Sequence, residues 1–119
     1  MKKPITTSEA IYDRGDIVVV PFPYIDQLAE KRRPALVISG KKFNERNGIL
    51  WVAMITSAEN QIWPDDITFD LKDSGLTNPS IIRLAKIAAI ETSRVIRTAG
   101  RVSVTVRNEV KAHIEKILG

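Results

Sequence analysis

Apolar residues fall in short runs divided by polar, Pro-containing or Gly-containing segments, the pattern of a chain of strands closed by one helix. Asp16 to Val20 and Pro34 to Ser39 have strand length and β-branched content, and a charged surface loop, Tyr24 to Arg33, joins them. Pro21 and Pro23 donate no ladder hydrogen bond, so the first strand is predicted to end at Val20 or to run on only as an edge. Gly40 to Gly48, rich in Lys, Asn, Glu and Arg, reads as a polar turn. Ile49 to Ile55 (ILWVAMI) barely alternates, as a central strand covered on both faces would, and Trp51 is assigned to the core. Thr56 to Trp63 reads as a turn, and Ile67 to Leu71 alternates as a half-exposed strand does. Asp73-Ser74-Gly75 and Asn78-Pro79 bracket another turn. Ser80 to Ile90 predicts a further strand or strand pair, and Arg94 to Thr98 a short one, with Gly100 as a break.

The period then changes. Val106, Val110, Ile114 and Ile117 recur on one helical face, and Ser103 stands where an N-cap would, a contribution of about 1 kcal/mol relative to Ala. Five to seven short strands and one terminal helix make a mainly β, α+β domain, and the strand count implies a small barrel. Residues 1–12, polar and irregular, read as a flexible extension ahead of a single domain over 13–119.

The 119 residues suit one hydrophobic core, and a domain of this size buries roughly 65% of its unfolded surface. With no Cys and one His, a disulfide framework, a thiolate metal site and a His-based zinc site are excluded, so no cofactor or metal is expected. No apolar run approaches the roughly 18 residues that cross a bilayer, and Met1 to Tyr12 lacks a signal-peptide core, so a cytoplasmic protein is expected. The net charge of +4 gains meaning from its distribution. Between Arg83 and Arg107 six basic residues meet one acid, Glu91, whereas between Glu59 and Asp73 five acids meet only Lys72. One basic and one acidic surface are predicted, and the basic one fits a polyanion, although basic clusters are more often solvated faces.

The residues limit the phosphate chemistry on offer. The chain has no Gly-rich phosphate cradle, no Cys nucleophile and no His-Glu metal helix, which leaves arginine, lysine, hydroxyls and carboxylates. Arg33 opens the second run with a guanidinium that forks onto phosphate oxygens at any relevant pH, although an exposed Arg more often serves solubility. Thr56 ends the buried third run, where a rigid element aims a short hydroxyl, or where ordinary strand-end turn chemistry places one, with Ser57 as a neighbouring donor. Arg83 interrupts Ile81-Ile82-Arg83-Leu84-Ala85 and must reach solvent, a partner or an anion. Lys31, Arg32 and Arg33, and separately Lys41 and Lys42 with Arg46, suit phosphates flanking a cleaved bond or an acidic protein tail, and Lys86 is a further candidate phosphate contact. Trp63, beside Pro64 in a turn, is a candidate to stack a base, to meet another subunit or to pack under its own loop.

In order and spacing these motifs resemble the PemK/MazF toxins of bacterial type II toxin-antitoxin systems. The carriers are Gly15-Asp16 before a hydrophobic strand, Arg33-Pro34 after a loop, Met54-Ile55-Thr56-Ser57, Ser80-Ile81-Ile82-Arg83-Leu84, and Ala89-Ile90-Glu91-Thr92 through Gly100-Arg101-Val102. The resemblance covers roughly Tyr12 to Leu118. It implies an SH3-like barrel of the MazF/CcdB kind with a C-terminal helix, paired as a homodimer. It further implies a metal-independent endoribonuclease that cuts single-stranded RNA, held by an antitoxin with an acidic or amphipathic tail.

By the same resemblance Arg33 stabilises the pentacovalent phosphate, Thr56 hydrogen-bonds it, and Arg83 matches an arginine that Kid-type members use catalytically. Those members carry an acid two positions later, where this chain has Ala85, and a histidine in the first loop, where Tyr24 to Arg33 has none. His113, on the terminal helix, reads as a surface residue. Asp26, Glu30 and Lys86 are left as alternative proton carriers, although loop carboxylates mostly serve solvation. These departures motivate a second reading, a nucleic-acid-binding or gyrase-directed barrel like the CcdB toxins without catalysis, and a third, an orphan structural barrel.

Overall fold

A computed structural model describes residues 11–22 and 31–119. The elements are β1 (Asp16–Phe22), β2 (Lys31–Val37), α1 (Lys41–Asn47), β3 (Ile49–Ser57), β4 (Asp66–Thr68), β5 (Ser80–Glu91), a 3₁₀ turn (Thr92–Arg94), β6 (Arg97–Arg101) and α2 (Val104–Leu118). Among the described residues the strands form one antiparallel six-stranded sheet in the order β4-β5-β3-β2-β1-β6, which is not closed into a full barrel.

Side-chain alternation divides the core between the two faces of this sheet. Ile17, Leu36, Ala53 and Ile55 face one side, where Val106 and Val110 of α2 cover them. Val18, Val20, Phe22, Ala35, Val37, Leu50, Val52 and Met54 face the other. β3 is buried on both faces from Val52 to Ile55, as its apolar run predicts. Helix α2 begins as expected, with Ser103 Oγ accepting the Val106 N–H at 3.2 Å.

Four expectations need correction. Gly40 to Gly48 is not a turn but holds helix α1, which its sequence conceals because its buried anchor is polar. Asn44, 2% exposed, donates to the carbonyls of Tyr12 and Ser39 and accepts the Ser39 hydroxyl, and Gly48 ends the helix at φ +63°. Tyr12 is thereby tied to the domain and is not part of a loose extension, whose residues 1–10 lie outside the described chain. Trp51 is not core but 49% exposed: alternation puts it on the Ala53 side of the sheet, outside the cluster there, with Phe43 edge-on at 5.3 Å. Gly100 does not break the chain but lies within β6, where the 73–75 turn approaches so closely that a Cβ would stand 2.3 Å from the Asp73 carbonyl oxygen.

Boundaries also move. β1 continues through Pro21 to Phe22, and Pro21 pairs with Arg32. β2 consequently starts at Lys31, so Lys31, Arg32 and Arg33 belong to the strand itself and not to the loop before it. The strand predicted at Ile67 to Leu71 shrinks to three residues, and the one predicted at Arg94 to Thr98 shifts to Arg97–Arg101 behind the 3₁₀ turn. Among the described residues no helix is long and apolar enough to cross a membrane.

Candidate active site

The register of β2 on β3 builds the site. Ala35 pairs with Met54, and the same register carried two residues further sets Arg33 opposite Thr56. By alternation both side chains prolong the face lined by Ala35, Val37, Val52 and Met54, so both point to the same side of the sheet. The ladder stops at Ala35 and Met54, and the strand ends open around a cleft of about 520 Å³. Arg33, Pro34, Ile55, Thr56, Ser57 and Glu59 line it from one side, and the 76–80 segment from the other.

Arg33 is half-buried at the cleft wall, while Lys31 and Arg32 beside it are exposed. Thr56 Oγ1 accepts a hydrogen bond from Asn60 Nδ2 at 2.7 Å. Ser57 Oγ accepts the Glu59 N–H at 3.1 Å, which bends the chain so that Glu59 joins the cleft lining. Glu59 is the one carboxylate among the described cleft residues. Sequence reasoning passed over both Glu59 and Asn60. The signal that marks them is their position three and four residues beyond a strand-end Thr, within reach of one tight turn.

Arg83 lies elsewhere. On β5 it stands directly opposite Asp66 of β4, and its Nε and Nη2 donate to the two carboxylate oxygens at 3.2 and 2.9 Å. Nη2 also donates to the Gln61 carbonyl, and the guanidinium stacks 4.0 Å from the centroid of Trp63. The side chains of Arg83 and Asp66 are 6% and 1% exposed. The donors of Arg83 are thus turned to the chain's own loop, and Arg83 is not among the residues lining the cleft. Trp63 is half-buried with Arg83 on its ring and Lys86 Nζ at 5.5 Å, so it packs with its own loop and strand. Just past Arg83 the β3–β5 register slips: Met54 pairs with Arg83 and Ala53 with Ile87, which places Ala85 and Lys86 in an irregular bulge.

Lys41, Lys42 and Arg46 sit on α1, beyond the other end of β2 and β3. From Arg33 to Val37, the last residue of β2, is about 13 Å of strand at a rise of about 3.3 Å per residue. Lys41, Lys42 and Arg46 are not among the residues that line the cleft. His113 is on α2 and contacts the Glu109 carbonyl, away from the cleft. Asp26 and Glu30 lie outside the described residues. Among the described residues no three His, Cys, Asp or Glu side chains gather as a metal site requires.

The family model for the PemK-like, MazF-like toxin of type II toxin-antitoxin systems matches residues 13–118. No curated protein matches the chain. Among solved structures, MazF from Deinococcus radiodurans in a MazE-MazF complex is similar at 23% identity with a TM-score of 0.75, over 92% of this chain and 98% of that one. An endoribonuclease in complex with its cognate antitoxin from a Mycobacterial species is similar at 17% identity with a TM-score of 0.72, over 91% and 95%. The antiparallel sheet with its C-terminal helix is the fold of those structures. With nearly its whole length matched, from ahead of the Gly15-Asp16 strand to the end of the C-terminal helix, this chain belongs to the PemK-like, MazF-like toxin family of type II toxin-antitoxin systems.

Proposed function

We propose that the chain is a metal-independent endoribonuclease that cuts single-stranded RNA, the toxin of a pair whose cognate antitoxin silences it in the cytoplasm. The observation that carries this reading is the convergence of Arg33 and Thr56 on one face at the open end of β2 and β3, at the lining of a cleft of about 520 Å³. In this reading the ribose 2′-oxygen attacks the adjacent phosphorus, the P–O5′ bond breaks, and a 2′,3′-cyclic phosphate and a 5′-hydroxyl result. Arg33 stabilises charge on the non-bridging oxygens through fork-shaped donors, and Thr56 donates its hydroxyl proton to the same group. Glu59 accepts the 2′-hydroxyl proton, and the leaving oxygen takes its proton from water in the open cleft. Lys31 and Arg32 hold flanking phosphates, with Ser57 as a further donor at the rim.

Arg83 serves the fold in this account. The solved relatives bound to their antitoxins support an antitoxin partner, and the exposed Lys31 and Arg32 suit an acidic segment of it. A homodimer fits the exposed apolar residues left on the sheet and on α2, among them Trp51, Ile87 and Leu118. A second reading, a barrel that binds nucleic acid without cutting it, draws on the sequestration of Arg83, which leaves Arg33 as the one arginine among the described residues that line the cleft. Incubating the pure protein with long mixed-sequence RNA in EDTA and mapping the ends decides between them. Cuts with 2′,3′-cyclic phosphate ends are expected, and RNA left intact while cells expressing the protein stop growing favours the second reading.

A further inference from the structure

A threonine hydroxyl has one proton to give and two lone pairs to receive with. For Thr56 to donate to a phosphate, that proton must point into the cleft, and a freely rotating hydroxyl spends much of its time pointing elsewhere. A residue that restricts its direction is on the adjoining turn. Asn60 Nδ2 donates to Thr56 Oγ1 at 2.7 Å, which fills one lone pair and keeps the hydroxyl proton off that side.

The turn that presents Asn60 is held at several points. Asn60 N–H donates to the Ser57 carbonyl at 3.1 Å, and Ala58 N–H donates to the Pro79 carbonyl across the cleft at 3.0 Å. Downstream, the Gln61 carbonyl accepts from Arg83. Asp66 accepts from both Arg83 and the Trp63 N–H, the latter at 2.7 Å. A continuous set of contacts therefore runs from the buried Arg83 through residues 61–66 to Asn60 and the Thr56 hydroxyl. We propose that Asn60 is a positioning residue that aims the Thr56 hydroxyl proton into the cleft, and that Arg83 acts as the latch of the loop carrying it.

The proposal rests on the endoribonuclease reading and adds to it a role for two residues that need not touch RNA. Asn60 is exposed, so its variants should fold normally. The informative pair is Asn60→Ala and Asn60→Asp. Ala removes the donor and frees the hydroxyl, so kcat should fall about threefold to tenfold, the worth of one neutral hydrogen bond, with KM little changed. Asp is nearly isosteric but only accepts, so it draws the Thr56 proton to itself and away from the phosphate. Its kcat should fall a further tenfold or more, the order of a charge-assisted bond. A purely structural role predicts the opposite order, the near-isosteric Asp being the milder change.

A readout independent of activity is the side-chain amide resonance of Asn60, which should move toward the free-amide position in Thr56→Val and also in Arg83→Lys. If wild-type protein cuts no RNA, the functional reading falls and the catalytic role of Asn60 with it. If wild type cuts and Asn60→Asp cuts as well as Asn60→Ala or better, the role of Asn60 alone is overturned. An Asn60 resonance unmoved in Arg83→Lys removes Arg83 from the set of contacts.

Discussion

Replacing Arg83 by methionine should cost this domain a large share of its stability. The change keeps most of the aliphatic stem but leaves the carboxylate of Asp66, 1% exposed, without its counter-charge. Burying an unpaired charge by removing its partner costs about 3 to 5 kcal/mol, against a total stability of about 5 to 15 kcal/mol for a small domain. The lost stacking on Trp63 and the vacated Gln61 carbonyl add to that figure. With a urea m-value of about 1 to 3 kcal/mol/M, the midpoint should fall by roughly 2 M. Asp66→Asn together with Arg83→Met removes both charges and should recover much of the loss, so a double-mutant cycle on the two positions should show strong coupling. Urea unfolding followed by Trp fluorescence measures all four proteins. A single Arg83→Met variant within about 1 kcal/mol of wild type, well under the cost of an unpaired buried charge, would refute the reasoning, as would a double variant no more stable than the single.

Other predictions concern the cleft and its surroundings. Neutralising Lys31 and Arg32 should reduce the slope of log K against log salt for single-stranded RNA by about 0.7 for each phosphate no longer neutralised, whereas the same change at Lys41, Lys42 and Arg46 on α1 should leave the slope unchanged, as filter binding at several salt concentrations can read. Glu59→Gln should lower kcat by about 10² to 10⁴ with folding intact, the usual worth of a positioned general base, in single-turnover cleavage assays. Gly75→Ala should lower Tm measurably in a calorimetric scan, because Gly75 sits at φ +76° and an added Cβ would meet the Ala99 carbonyl oxygen at 1.8 Å.

The parts of the fold written in apolar periodicity are legible along the chain. The ILWVAMI run is the central strand β3, and Ser103 with Val106 and Val110 is the capped, core-facing start of α2. Helix α1 escapes such a reading because its anchor, Asn44, is held by hydrogen bonds to Tyr12 and Ser39 and carries no hydrophobic signal. Arg33 and Thr56 stand out as strand-end polar residues, and register alone brings them to one face. Arg83 stands out too, but its partner Asp66 is 17 residues earlier, and only the β4–β5 pairing shows that the charge is answered within the chain. The contact from Asn60 to Thr56 depends on the path of a turn, which composition does not encode. Trp51 marks the reverse case: an apolar residue inside a strand run whose side chain emerges outside the cluster on its side of the sheet.

In the proposed function, RNA is cut in the cleft around Arg33 and Thr56. The most direct measurement compares wild type, Arg33→Ala and Thr56→Val on one long RNA in EDTA, with the chemistry of each cut end identified. Wild type should leave 2′,3′-cyclic phosphate and 5′-hydroxyl ends. Arg33→Ala should cut about 10² to 10³ more slowly, the usual cost of losing one charge-stabilising donor, and Thr56→Val should lose less. Undiminished cleavage by both folded variants, or no cleavage by wild type, would rule out this site as the place where RNA is cut.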